Sequence, residues 1–183
     1  MRRLLVPIAF AAGLSLLAPQ SAQAATTTSA SSAATSSATE TVTQLRSRVT
    51  VSYPKAIRRG WPVRYTYKVT NPNEIDDERL VLATDLPRGI VSKVRFVTKP
   101  RGASCGTQKR NAAGNFSIYC VVRSLNHSKI TMSFNVWIRT SYRGKFRAGH
   151  YWAPVSIGGG SVRDYLDEVT RENLIGHSWT KIA

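Results

Sequence analysis

The chain has 183 residues, with 26 lysines and arginines against 10 aspartates and glutamates, so its formal net charge is +16. This length allows one domain with appendages rather than two full domains. The charge favours polyanionic partners and says nothing about fold. After the N-terminal segment, no stretch approaches the roughly 20 apolar residues of a membrane-spanning helix.

The first 24 residues have the features of an export signal. Arg2 and Arg3 precede a nearly uncharged apolar run, Leu4 to Leu17, and Ala22-Gln23-Ala24 supplies the small-x-small pattern that a signal peptidase recognises. The alternative is a membrane anchor, but the run is short for a bilayer core and a cleavage pattern follows it. We expect cleavage after Ala24 and a secreted, extracellular product associated with the cell wall.

Residues 25–42 are rich in alanine, serine and threonine, and Glu40 is their one charged residue. Such a segment cannot bury enough surface to offset the entropy lost when it becomes ordered. We therefore expect a disordered linker, which is either an unmodified spacer or an acceptor of O-linked sugars.

From Arg48 onward, apolar and polar residues alternate, as in a strand with one buried face. The clearest examples are Pro62 to Thr70 and Ile130 to Arg139. Turn residues separate them from further strands near residues 48–54, 79–84, 93–98, 116–122 and 148–157. About seven strands without an intervening helix predict an all-β fold, an immunoglobulin-like antiparallel β-sandwich over residues 43–157.

Residues 158–183 have a different pattern. Gly158-Gly159-Gly160 predicts a hinge, and Ser161 with Asp164 approximates a capping box. An apolar stripe at helical spacing follows: Val162, Tyr165, Leu166 and Val169. We expect a short C-terminal helix from about Val162 to Ile175, with Gly176 as the stop, the alternative being an irregular strand and tail. One hypothesis is that its acidic residues dock it on the basic sandwich: Asp164, Asp167, Glu168 and Glu172.

Cys105 and Cys120 are the two cysteines of the chain. In an exported protein, two lone cysteines most often pair with each other. A disulfide across this separation would stabilise the fold by about 3 kcal/mol in the chain-entropy model. The alternatives are two free buried thiols or, with less support, a zinc site, for which partners at finger spacing are missing. We expect no metal and no cofactor.

A series of motifs occurs in a recognisable order in the same region. Val69-Thr70-Asn71 ends a strand, Asp85-Leu86-Pro87-Arg88-Gly89-Ile90 follows, Gly102-Ala103-Ser104-Cys105 comes next, and Cys120 precedes Leu125 by five residues. Over about Thr50 to Val155 the chain thus resembles the bacterial surface β-sandwich repeat family catalogued as domain of unknown function eleven. The resemblance implies an extracellular or envelope-associated binding or spacer module with a paired cysteine bridge.

No catalytic signature is evident from the residue types. We expect no Gly-x-Ser-x-Gly nucleophile elbow, no His-Glu-x-x-His and no phosphate-binding glycine loop with its lysine. The histidines are isolated from one another, and the acidic run Glu74 to Glu78 lacks the spacing of an EF-hand. We predict a protein without enzymatic activity.

Charge is distributed unevenly along the chain. From Leu86 to Val155 there is no acidic residue, whereas the same 70 residues contain 13 lysines and arginines. Eight of them are the candidate polyanion-binding residues: Arg95, Lys99, Arg101, Lys109, Arg110, Arg143, Lys145 and Arg147. Trp137 and Tyr119, on predicted outward strand faces, either contact sugar rings or pack under loops.

These features predict a secreted, non-enzymatic binding or structural module whose partner is an anionic cell-wall polymer or an acidic polysaccharide. The alternatives are a generally basic surface without a specific ligand and a secreted effector, either a cationic antimicrobial protein or a protein inhibitor. The sequence contains no nucleic-acid recognition motif.

Overall fold

Eleven β-strands make up most of the part of the chain that the structure describes. The computed structural model describes residues 36–44, 47–72, 79–109, 111, 113–123, 128–155, 161, 166 and 173–183, within one unit that spans Ala34–Ala183. Sheet A consists of β1 (Ser37–Gln44), β2 (Ser47–Pro54), β4 (Pro62–Thr70), β6 (Val91–Thr98) and β9 (Lys129–Ile138). Sheet B consists of β3 (Ala56–Ile57), β5 (Arg79–Leu86), β7 (Ser104–Gln108), β8 (Phe116–Arg123), β10 (Gly144–Val155) and β11 (Leu174–Ile182).

The strand order is that of an immunoglobulin domain with additions. Sheet A has the order β1-β2-β4-β9-β6, and sheet B has the order β3-β11-β10-β5-β8-β7. Without β1, β3, β7 and β8, seven strands remain, and they take the immunoglobulin letters A to G in chain order: β2, β4, β5, β6, β9, β10 and β11. Sheet A then has the order A-B-E-D, and sheet B has the order G-F-C. This is the pairing of a constant-type immunoglobulin domain. The predicted all-β, immunoglobulin-like sandwich is therefore confirmed, and each of the seven predicted strands is present.

Strand alternation builds the core between the two sheets. Along β4, Val63, Tyr65, Tyr67 and Val69 are buried, and the residues between them are exposed or half-buried. β4 pairs with β9 in an unbroken antiparallel register, so its buried side chains adjoin those of the neighbouring strand: Val136, Phe134, Met132 and Ile130. Removing this apolar surface from water is the main favourable term in folding, at roughly 25 cal/mol per Å².

The imidazole of His150 lies at the centre of this core. His150 is on β10 of sheet B and is fully buried. Three tyrosine rings of sheet A surround it, those of Tyr53, Tyr65 and Tyr67, at centroid distances of 5.2–5.9 Å. The aromatic residues of one sheet therefore pack directly on a titratable group of the other.

Hydroxyl groups satisfy both nitrogens of that imidazole. The Nδ1 atom of His150 lies 3.1 Å from the Tyr67 hydroxyl and 3.2 Å from Thr84 Oγ1, and its Nε2 atom lies 2.8 Å from Ser178 Oγ. Burial, with a smaller contribution from the nearby His177, lowers the pKa of His150 to about 3. The ring is therefore neutral at physiological pH, and its hydrogen bonds connect β4 of sheet A to three strands of sheet B.

A second apolar cluster covers the outer face of sheet B. Val81, Val121, Ala153 and Val155 are buried there, and Leu166 packs with them. Sheet B is thus buried on both faces in this region.

The N-terminal boundary of the domain differs from the prediction. The predicted linker, residues 25–42, is wrong from Ser37 onward, because Ser37–Gln44 forms β1 and pairs along the full length of β2. Ala38 and Val42 pack against the core, and the threonines between them are exposed. An alanine-, serine- and threonine-rich segment becomes ordered here because β2 supplies a complete row of backbone partners. Residues 1–35, including the predicted export signal, lie outside the described residues.

The C-terminal helix, predicted from about Val162 to Ile175, is not borne out. Leu174–Ile182 is strand β11, which pairs antiparallel with β10 through Gly176, the predicted stop. The sandwich therefore extends to Ile182 rather than ending at residue 157, and β10 begins at Gly144 rather than Ala148. Within residues 156–172 the structure describes Ser161 and Leu166, so the predicted glycine hinge and the acidic residues of the docking hypothesis lie outside the described residues.

A disulfide joins the strands of the β7–β8 hairpin. Cys105 and Cys120 are direct register partners, with Cα atoms 4.0 Å apart; Cys120 is buried in the core between the sheets, and Cys105 is half-buried and packs against it. The predicted disulfide is confirmed. It connects neighbouring strands within sheet B, whereas the disulfide of an antibody domain connects the two sheets.

We expect the Cys105→Ala/Cys120→Ala variant to fold with a free energy of unfolding about 3 kcal/mol lower than that of the wild type. The reason is that the disulfide limits the unfolded chain across a loop of this length. Urea denaturation measures the change, and wild-type protein denatured under reducing conditions is the matched control. A loss below about 1 kcal/mol in both samples would contradict the prediction.

We expect the wild type to lose about 2–3 kcal/mol more stability than His150→Asn between about pH 6 and pH 4. The unfolded chain protonates this histidine near pH 6.5, whereas the folded chain does so only near pH 3. Acidification between these values therefore favours unfolding. Urea denaturation at each pH measures the two slopes, and parallel slopes would contradict the prediction. An imidazole NMR signal of His150 that does not shift above about pH 4 provides an independent check.

Candidate anion-binding face

The outer face of sheet A is a continuous surface of hydroxyl groups and cations. Because side chains alternate along each strand, the residues between buried core positions project to this face. Its cations, all exposed, are Arg48, Arg64, Lys68, Lys93, Arg95 and Lys129. Its threonines include Thr41, Thr43, Thr50, Thr66, Thr70 and Thr131.

The strand register places neutral residues between the cations. Three rows across the strands are Arg48–Thr70–Lys129, Thr50–Lys68–Thr131 and Arg64–Asn135–Arg95. Among the register pairs described on this face, no two cations are direct partners, which avoids the repulsion between like charges directly opposite each other. Adjacent strands lie about 4.8 Å apart, so two cations that flank one neutral residue are roughly 10 Å apart at their backbones.

Trp137 lies on this face beside the edge strand β6. The Nζ atom of Lys93, its register partner, is 5.4 Å from the centroid of its ring, which is a cation–π contact. The Ser92 hydroxyl donates a hydrogen bond to the Trp137 carbonyl at 3.0 Å. The outward position predicted for Trp137 is confirmed, and its ring contacts Lys93, one of the cations of the face.

Acidic side chains are scarce in the part of the chain that the structure describes. It includes twenty lysines and arginines but two carboxylates, Glu40 and Asp85. Glu40 faces the interior side of β1, where it accepts a hydrogen bond from the Tyr53 hydroxyl at 3.1 Å and packs over Gly176. Asp85 belongs to β5 in sheet B. The outer face of sheet A, where described, is therefore purely cationic.

The structure does not bring the predicted polyanion-binding residues together. Arg95 lies on the outer face of sheet A, whereas Lys145 and Arg147 lie on the outer face of sheet B. The remaining described candidates are exposed in connections: Lys99 and Arg101 after β6, Lys109 after β7, and Arg143 before β10. Arg110 lies outside the described residues. The predicted residues were chosen because they are close together in a stretch of sequence without acidic residues. The cations of the outer face of sheet A, by contrast, come from four strands that are distant in sequence.

Sequence reasoning missed most cations of the outer face of sheet A. Those absent from the prediction are Arg48, Arg64, Lys68, Lys93 and Lys129. The signal that could have identified them is their parity within the strands, because each occupies a position that alternates with buried residues. Charge density along the chain contains no such information.

Asp85 belongs to a polar network that fixes the loop of the β7–β8 hairpin. Ser117 Oγ donates to Asp85 Oδ1 at 2.6 Å, and Asn111 Nδ2 donates to Asp85 Oδ2 at 2.7 Å. The Asn115 backbone N–H donates in turn to Asn111 Oδ1 at 2.8 Å. Burial raises the pKa of Asp85, and these polar neighbours oppose that increase. The carboxylate is thus engaged in holding the hairpin loop.

Two serines share single features with the nucleophiles of hydrolases but lack the geometry that catalysis needs. Ser178 Oγ is 2.8 Å from His150 Nε2, but both residues are fully buried, and hydroxyl groups occupy the position that an orienting carboxylate takes in a catalytic triad. The sequence does contain one Gly-x-Ser-x-Gly pattern, contrary to the expectation that it has none: Ser104 lies in Gly102-Ala103-Ser104-Cys105-Gly106. That pattern requires a strand-to-helix turn, whereas Ser104 begins β7 and pairs with Val121.

Tyr119 faces outward on sheet B, as predicted, but its ring is packed. It lies over Gly106, where an added Cβ atom would be 2.9 Å from the tyrosine oxygen, and it contacts the apolar cluster of that face. Within the described residues, no group of three or more His, Cys, Asp or Glu side chains could hold a metal ion. Those residues also include no helix of the length and hydrophobicity that crossing a bilayer requires.

No family model matches the chain, and no curated protein matches it. Among solved structures, the collagen-binding domain of a Staphylococcus aureus adhesin has a TM-score of 0.44 at 8% identity, covering 76% of this chain and 99% of that one. A collagen adhesin from S. aureus has a TM-score of 0.39 at 8% identity, covering 74% and 55%. AvmM, which catalyses macrocyclization in alchivemycin A biosynthesis, has a TM-score of 0.35 at 11% identity, covering 77% and 90%. These values assign neither a ligand nor an activity to this chain.

We expect Asn135→Lys to destabilise the fold by about 0.5 kcal/mol relative to Asn135→Gln at low ionic strength, and Asn135→Glu to stabilise it by a similar amount. Asn135 is the register partner of both Arg64 and Arg95. A positive charge at this position therefore adds to the repulsion between the two arginines, and a negative charge reduces it. Urea denaturation at low salt and at 1 M NaCl tests this, because high salt should bring the three variants together. Equal stabilities at low salt would contradict the proposed charge pattern.

Proposed function

We propose that this protein is a secreted, non-enzymatic binding module that holds an anionic polymer of the cell envelope on the outer face of sheet A. The observation that carries the proposal is the set of six exposed cations on that face, none of which is the direct register partner of another and among which no described carboxylate lies. The proposal includes kinship with the surface β-sandwich repeat family that the sequence resembles.

The geometry suits a repeating anion better than a single one. The cations come from β2, β4, β6 and β9, and cations separated by one neutral residue are roughly 10 Å apart. A linear polymer with closely spaced negative groups can therefore contact several of them at once and release their counterions. The intervening threonine hydroxyls both donate and accept hydrogen bonds, so they can bind the polar groups between the charges.

Export and the absence of catalysis are parts of the same proposal. The N-terminal 24 residues have the pattern of a secretory signal. The Cys105–Cys120 disulfide is typical of an oxidising compartment. His150, whose ring nitrogens lie beside hydroxyl groups, is fully buried in the core and therefore inaccessible to a substrate. A binding role requires none of the arrangements that a nucleophile and its base would need.

The test is binding of dextran sulfate to the purified protein across a range of NaCl concentrations, with uncharged dextran as the ligand control. We expect affinity to fall steeply with salt. We also expect Arg64→Gln/Lys68→Gln/Arg95→Gln to reduce the slope of log affinity against log salt by about two, since each neutralised anionic group contributes roughly 0.7–0.9 in nucleic acids.

The matched control removes three other exposed cations, Lys99→Gln/Arg101→Gln/Lys109→Gln, which changes the net charge equally. We expect this variant to retain most of the affinity and slope. Equal losses in the two variants would mean that attraction is diffuse and that the outer face of sheet A is not a site. Affinity that depends little on salt would instead favour the alternative of a secreted inhibitor that binds a protein through a loop or sheet edge.

A further inference from the structure

The outward side of the β10–β11 pair carries a different combination of side chains from sheet A. Its residues between Gly144 and Gly149, and their partners on β11, include Arg147 opposite Trp179 and Lys145 opposite Lys181. All four side chains are exposed. We call this group of four residues the Trp179 site: Lys145, Arg147, Trp179 and Lys181.

The aromatic ring of this site is unusually open to solvent for a residue within a paired strand. Trp179 is 55% exposed. Further along the same face, by contrast, Tyr151 lies over Gly149, and Tyr119 lies over Gly106 and packs on the apolar cluster. Trp179 therefore presents a flat apolar surface that the described part of the fold leaves uncovered.

The site contains one pair of cations that are closer together than any two described cations on the outer face of sheet A. Lys145 and Lys181 are direct cross-strand partners, so their Cβ atoms are about 5 Å apart, an arrangement that destabilises a sheet unless an anion relieves it. Arg147 is two residues from Lys145 on the same face, about 7 Å away along the strand. The described carboxylates are engaged elsewhere: Asp85 binds Ser117 and Asn111, and Glu40 lies on the interior side of β1.

We propose that the Trp179 site binds an acidic saccharide, with one sugar ring stacked on Trp179 and its carboxylate or sulfate group bound by Lys145, Lys181 and Arg147. An exposed ring beside crowded cations suits a ligand with both an apolar ring face and a negative group, which a simple polyanion lacks. The inference rests on the proposed function for the anionic nature of the ligand, and it adds that the ligand is a saccharide.

Two ligands separate stacking from charge: a sulfated uronate-containing hexasaccharide and a linear polyphosphate of matched charge. We expect Trp179→Ala to weaken hexasaccharide binding roughly tenfold, because alanine removes the apolar ring face on which the sugar packs, and to leave polyphosphate binding unchanged. Trp179→Phe, which keeps a ring, should retain most of the hexasaccharide affinity. Lys145→Gln/Lys181→Gln should weaken the binding of both ligands.

Trp61→Ala is the matched control, because Trp61 is an exposed tryptophan at 65% outside the site and should affect neither ligand. Circular dichroism of each variant establishes that it is folded. An unchanged hexasaccharide affinity in Trp179→Ala, or equal losses for both ligands, would overturn the proposal.

The Arg64→Gln/Lys68→Gln/Arg95→Gln variant separates this inference from the proposed function. If that variant loses dextran sulfate binding while Trp179→Ala retains hexasaccharide binding, the outer face of sheet A is supported and the Trp179 site is wrong. If Trp179→Ala loses hexasaccharide binding while the sheet A variant keeps its polymer affinity, the Trp179 site is supported and the assignment of polymer binding to sheet A is wrong.

Discussion

The register between β4 and β9 is the constraint on which both the core and the candidate binding face depend. The two strands pair without a break from Pro62 opposite Trp137 to Thr70 opposite Lys129. A slip of one residue would turn Tyr65 and Tyr67 to solvent and bury Arg64 and Lys68, because successive side chains point to opposite faces. Burying unpaired cations costs far more than the hydrogen bonds of a shifted ladder could return. The positions of the cations on the outer face are thus fixed by the same alternation that makes the inner face apolar.

The alignment of the two sheets depends on a more specific contact. Apolar packing alone permits sheets to slide, since the hydrophobic effect is not directional. The Tyr67 hydroxyl adds direction, because it donates to the Ala83 carbonyl at 2.6 Å and lies within hydrogen-bond distance of Thr84 and His150. A shift of the sheets would leave these buried polar groups without partners, at a cost of about 1–3 kcal/mol each. The polar cluster therefore favours one arrangement of the sandwich, and with it the placement of the two outer faces.

The sequence predicts those strands whose inward-facing residues are apolar. It does not predict the strands that have polar or small residues at inward-facing positions. Pro62–Thr70 alternates cleanly, and its observed bounds match the prediction. In β11, by contrast, Ser178 and Thr180 occupy interior positions because one binds His150 and the other binds the Pro54 carbonyl. Hydroxyl groups at core positions remove the alternation on which a strand prediction relies.

The other missed strands have related causes. β1 is mostly alanine, serine and threonine, and it is ordered by pairing with β2, which no local sequence pattern reveals. β7 is short and contains Gly106 beneath a tyrosine ring, and β3 has two residues. The disulfide could be predicted from the presence of two cysteines in a chain with an export signal. Predicting the cationic face would have required knowing which strands pair with each other. Candidate site residues chosen from charge density consequently shared only Arg95 with that face.

The two outer surfaces differ in how they accommodate positive charge, and this difference has a physical scale. At physiological ionic strength charges are screened over about 8 Å. On sheet A no two described cations are direct cross-strand partners: those in a row stand roughly 10 Å apart, and diagonal or same-strand neighbours, such as Lys68 with Arg48 and Lys93 with Arg95, about 7–8 Å apart. Their mutual repulsion is therefore weaker than that of directly opposed cations. Lys145 and Lys181 are separated at Cβ by about 5 Å, within the screening length, so salt relieves their repulsion less. Dispersed charge suits a long polymer held by many weak contacts, whereas crowded charge beside an open tryptophan ring suits a compact ligand that brings its own negative group.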